Sequence, residues 1–198
     1  MMSNELSKII EQPGSLSTNN FVDGFRECYK LGQVLATSAI IPETYQGKPA
    51  DIAIAVDMAN RMNVSPMMVM QNLYVVKGKP SWSGQASKAL VEGCGKFRSV
   101  RTVYFGDKGT DGRGCFLSAE WSDTGEKLEG PEVTVKMAKA EGWYSKNPKW
   151  SNMPELMLAY RASAFFARVN CPEILMGVHV EGEVEDIVKS EPVVQDIL

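Results

Sequence analysis

The chain has 198 residues, of which 44% are hydrophobic and 9% aromatic, enough for one sizeable buried core, and its net charge is −3. Cys28, Cys94, Cys115 and Cys171 lie far apart with no C-x-x-C pair, and His179 is the single histidine; this argues against a structural zinc site or a disulfide framework and points to reduced thiols in a cytoplasmic protein. No apolar run reaches the roughly 18 residues of a membrane span, and the opening MMSNELSKII, followed by the polar SLSTNN, does not read as a secretion signal.

Residues 1–18, broken by Pro13-Gly14, read as a flexible arm. Ser17, Thr18 and Asn19 offer N-caps for a helix over Phe21–Ser38, in which Phe21, Phe25, Cys28 or Tyr29, and Leu35 recur at helical spacing. A second helix is expected over Ala50–Met62, and Ser65-Pro66 opens a short third one over Met67–Asn72. Its cluster of Met67, Met68 and Met70 suits core filling or a subunit contact. Leu73–Val76 and Pro80–Ser83 then form a β-hairpin with Lys77 and Lys79 at its tip and Trp82 beside it. A helix runs from Ser83 or Gly84 to about Gly93. Val100–Phe105 and Cys115–Trp121 are strands joined by the turn-rich GDKGTDGRG, and Lys127–Val133 supplies a third. Thr134–Gly142 is a short helix carrying Lys136 and Lys139, and Trp143–Trp150 a loop.

The longest apolar segment, Asn152–Cys171, is expected to be a helix that the rest packs around. Asn152 is its N-cap, Pro154 fits the first turn, Glu155 suits the positive end of the dipole, and Pro172 stops it. Arg161 and Arg168, seven residues apart, fall on one stripe of it. Two aligned guanidinium groups need anions, which are either internal carboxylates or phosphates. From Glu173 onward the chain carries seven acids against one base, whereas residues 1–172 carry 17 acids against 20 bases. A mildly basic body with an acidic tail over 181–198 suits a polyanion partner, with a tail that competes or recruits, or else a plain soluble body.

Bases interleave with aromatic residues twice: Lys77, Lys79, Trp82 and Lys88, then Lys136, Lys139, Trp143, Tyr144, Lys146, Lys149 and Trp150. Lysine and arginine neutralise phosphates and flat rings stack on unpaired bases, so the pattern suits single-stranded nucleic acid held by its backbone. Trp143 and Trp150 read equally well as core anchors. Catalysis finds little support: no nucleophile has a nearby base, and no carboxylates stand at metal-ligand spacing. Asp107, Asp111 and Glu120 offer only a weak case for a metal-dependent nuclease.

Five stretches in this order resemble the phage RecT family of single-strand annealing proteins: Ala53–Asn63 (AIAVDMANRMN), Asn72–Ser83 (NLYVVKGKPSWS), Gln85–Phe97 (QASKALVEGCGKF), Gly142–Trp150 (GWYSKNPKW) and Met153–Gly177. The resemblance implies an α+β annealing core over 19–180, with a hairpin and a small antiparallel sheet packed on several helices. It implies a non-catalytic protein that binds single-stranded DNA, passes through an annealed duplex intermediate, and works as a ring or helical filament in phage recombination. A phage exonuclease and the host single-strand-binding protein are the implied partners. The resemblance implies no cofactor, with magnesium as a modulator of annealing. Carried over by position, Lys77, Lys79, Lys149, Arg161 and Arg168 would be groove residues. The sequence reading adds Trp82, Lys136, Lys139, Trp143, Lys146 and Trp150 as DNA-binding candidates. The alternative is a phage assembly protein with a helix-mediated subunit interface and no DNA binding.

Overall fold

The computed structural model describes residues 18–181 and Glu183. The expected arm therefore lies outside the described residues, except Thr18, as does the acidic tail, except Glu181 and Glu183. The architecture is α+β. The contacts divide the chain into two compact units, with the boundary in sequence between Gln71 and Asn72.

In the first unit, α1 (Thr18–Leu35) and α2 (Pro49–Met62) pack as a helical hairpin. Their approach depends on Gly32, because a Cβ there would lie 2.4 Å from the Pro49 carbonyl oxygen. The interior is filled by Cys28, Ile52, Ala53, Val56 and Ala59. Pro49 occupies the first turn of α2 and Asn63 closes it in the left-handed conformation at φ 52°. Helix α1 ends at Leu35, three residues before the expected Ser38. The Thr37 hydroxyl donates to Val34 O, and the Ser38 hydroxyl accepts from Ile40 N–H, so hydroxyls replace the next helical turn. Helix α3 (Pro66–Asn72) leads to the boundary between the units.

The second unit opens with the hairpin β1 (Leu73–Val76) and β2 (Lys79–Trp82). Lys77 and Gly78 form its two-residue turn, both with positive φ (49° and 77°), which matches the right-handed twist of the strands. The Ser83 hydroxyl caps α4 (Gly84–Gly93) by accepting from Ala86 N–H. Strands β3 (Phe97–Phe105), β4 (Gly114–Trp121) and β5 (Lys127–Glu129) form an antiparallel sheet, with β6 (Val133–Thr134) also paired to β4. The register shifts between Arg98 and Arg101, where Ser99 has φ 55°. The single strand expected over Lys127–Val133 is thus two, separated by Gly130-Pro131-Glu132. Proline cannot donate to the ladder, and a Cβ on Gly130 would meet the Phe166 ring at 2.8 Å.

Three short helices follow, α5 (Val135–Ala140), α6 (Trp143–Lys146) and α7 (Lys149–Asn152), the last two where a loop was expected. Helix α8 (Pro154–Asn170) then runs through the middle of the unit, against α4 and β4. Leu158, Ala162, Phe166 and Ala167 are fully buried on it. Gly84 lets α4 and α8 close, since a Cβ there would stand 3.0 Å from Tyr160 Cβ. After a 3₁₀ turn at Pro172–Leu175, β7 (His179–Val180) adds to the hairpin in parallel with β2.

Candidate functional site

Hairpin register decides which residues of β1 and β2 share a face. Tyr74 pairs with Ser81 and Val76 with Lys79, so these four share one face. Leu73 and Trp82 share the other, and both are buried. The Trp82 indole is wholly inside, its N–H donating to Leu175 O at 3.1 Å. It is a core anchor, which corrects the expectation that it stacks on a base.

The first face of the hairpin lines a cleft of about 490 Å³, with Tyr74, Val76 and Ser81 on one side and Lys149, Leu156 and Tyr160 on the other. Lys79 stands on the same hairpin face, and Lys77 is exposed in the turn. A second cleft, of about 180 Å³, adjoins it and includes Lys146, Pro148 and Arg161. The two share Gly84, Met157, Tyr160 and Glu181. A third, of about 570 Å³, meets the first at Met153 and Leu156 and carries Lys108, Arg113 and Lys139. The first two turns of α8 thus stand at the centre of three adjoining depressions.

The cations differ in how far they are committed elsewhere. Lys139 pairs with Asp111 at 2.5 Å and lies over the Tyr144 ring at 5.8 Å; the Asp111 hydrogen bond raises its pKa. Arg113 holds Glu155 at 2.5 Å, with Lys108 at 3.5 Å, and the Arg113 hydrogen bond draws the Glu155 carboxyl below the usual range. The third cleft is therefore largely charge-compensated. Lys149 is exposed, whereas Lys79 and Lys146 are half-buried. Lys136 is exposed on α5 but lines none of the three clefts.

Arg161 and Arg168 lie on one helix stripe, as their spacing requires, but they meet different surroundings. Arg161 is 6% exposed, and its guanidinium sits 4.0 Å over the Trp143 ring at the wall of the second cleft. Arg168 donates to Glu183 at 2.7 Å and to Val178 O at 2.8 Å. The expectation that Arg168 faces a phosphate is corrected: a carboxylate of the same chain holds it. Trp143 and Trp150 are buried with their ring centres 5.2 Å apart, in a cluster with Cys115, Val133, Met157 and Leu158. They too are core anchors rather than stacking platforms. They fix the α6–α7 segment that presents Lys146 and Lys149.

Once the buried tryptophans are set aside, the aromatic residues at the first two clefts are Tyr74 and Tyr160, which the interleaving pattern passed over, while Tyr144, which it included, lines the third. Tyr74 stands in the unbroken apolar run LYVV, which carries no alternation to single it out, and Tyr160 had only its place beside Arg161 to mark it. Burial is the chief cause that pushes the Cys115 and Cys171 thiols up to about 12, with Cys94 and Glu173 adding to it at Cys171, so neither is primed as a nucleophile. Among the described residues no group of three or more His, Cys, Asp or Glu is placed to hold a metal. Asp111 is engaged by Lys139 and Glu120 by Arg98. No described helix is long and apolar enough to cross a membrane. No family model matches the sequence, and no curated protein or solved structure matches it either.

Proposed function

We propose that this protein binds single-stranded DNA along the two adjoining clefts at the start of α8 and anneals complementary strands without covalent chemistry. The observation that carries the reading is the grouping of Lys146, Lys149 and Arg161 with the rings of Tyr74 and Tyr160 around one continuous surface, with Lys79 on the hairpin face beside it. Spaced cations suit a sugar–phosphate chain, and side-chain rings accept any base face without reading its edge. The likeness of five sequence stretches to the RecT family supports the same reading. In that setting the protein works as an oligomer in phage recombination, inside the bacterial host, beside an exonuclease and a single-strand-binding protein, with magnesium only modulating annealing.

The test is fluorescence anisotropy with a labelled oligothymidylate over a salt series, followed by annealing of two complementary strands. Binding that weakens steeply with salt, together with faster annealing than protein-free strands, supports the reading. Absence of binding at low salt removes it.

One observation favours the alternative of an assembly protein that binds no DNA. In the first unit α1 exposes Phe21, Val22, Leu31 and Val34, and α2 exposes Ile54. Such a surface suits a subunit contact. The same binding assay separates the two readings, because only the first requires DNA to bind.

A further inference from the structure

Strand β7 has a consequence for the cleft surface. Its parallel pairing with β2, extended by a hydrogen bond from Glu181 N–H to Trp82 O at 2.8 Å, sets the chain on the rim that both clefts share. There the Glu181 carboxylate accepts from the Gly84 N–H, in the first turn of the ten-residue α4, at 3.2 Å. That N–H is one of the open donors of a helix start, the kind a phosphate oxygen also takes. Two residues on, Glu183 accepts from Arg168 and from Val180 N–H, both at 2.7 Å. Glu181 therefore occupies a donor suited to an anion on the rim of the surface proposed to take DNA, and Glu183, which holds Arg168 away from the clefts, takes the N–H of Val180 in the wall of the second cleft. From Glu181 to Leu198 the sequence holds six acids and one lysine.

We infer that the acidic stretch beginning at Glu181 is an intramolecular competitor for the DNA cleft, displaced when a strand binds. This rests on the single-stranded DNA reading and assigns its regulation. A competitor on the same chain acts at an effective concentration on the order of millimolar, so weak individual contacts suffice. A strand with several phosphates displaces it because each added contact releases further counterions. Short or sparse DNA would be excluded, and long single strands admitted.

The experiment compares the full chain with a variant carrying Glu181→Gln, Glu183→Gln, Glu185→Gln, Asp186→Asn, Glu191→Gln and Asp196→Asn. Glutamine keeps an oxygen for the Gly84 N–H, so the β7 anchor is retained. Anisotropy with a labelled oligothymidylate should show the neutralised chain binding on the order of tenfold more tightly at low salt, with the gap closing as salt screens the competing charges. The pair Glu181→Gln and Glu183→Gln alone should move affinity in the same direction by a smaller factor. Equal, measurable binding by the wild-type chain and both variants overturns the inference and leaves the DNA reading standing. No binding by any of them removes both.

Discussion

Replacing Lys79 and Lys149 together by glutamine tests the cleft assignment most directly. The joined clefts bring Lys149, Lys146 and Arg161 to the surface at issue, and the adjoining hairpin face adds Lys79 as a fourth cation. If each neutralises one phosphate of a single strand, log affinity falls with log salt at a slope of about −2.8, so raising salt from about 50 to about 200 mM weakens binding about 50-fold. Removing two contacts should lower the slope to about −1.4 and the loss over the same range to about sevenfold. Lys149 is exposed and Lys79 half-buried, so the fold should be nearly unmoved, by less than about 0.5 kcal/mol in urea. Anisotropy with a labelled oligothymidylate at several salt concentrations reads the slope, and urea melts read the fold. A double variant that keeps the wild-type slope while folding normally would show that this cleft does not carry the strand.

Arg161 gives a different expectation, because it is buried against Trp143. Arg161→Ala should cost about 2–4 kcal/mol in urea unfolding, through lost packing and partners left unpaired inside, and Arg161→Glu should cost more; a neutral result would mean the side chain is not held there. Gly32→Ala should destabilise the first unit by about 1–3 kcal/mol or more, since the new methyl group meets the Pro49 carbonyl at 2.4 Å; thermal melts check this. Phe166→Ala should cost about 3–5 kcal/mol, as the ring is fully buried edge-on to Phe97 at 5.2 Å. Glu155 and Glu173 have lowered carboxyl pKa values, held down chiefly by Arg113 and by Lys96. A depressed folded pKa adds stability above the unfolded value, about 4.3, that is lost as pH falls through the lower folded one. Melting temperature should therefore drop below about pH 4, and Glu155→Gln should flatten part of that drop.

The sequence by itself determined the order and kind of most elements, because their signals are local. Pro154 and Glu155 mark the start of α8, and Lys77-Gly78 admits the tight hairpin turn. It also placed Arg161 and Arg168 on one stripe, which helical pitch alone requires. What it left undecided was the environment each side chain would meet. Tryptophan is equally at home stacked on a base or in a core, and only packing buried Trp82, Trp143 and Trp150. Arginine needs an anion of either origin, and only β7, a parallel pairing across about a hundred residues of chain, brought Glu183 to Arg168 and Glu181 to the cleft rim. Burial and charge pairing depend on every element packed around a residue, so they belong to the assembled structure and not to any window of the chain.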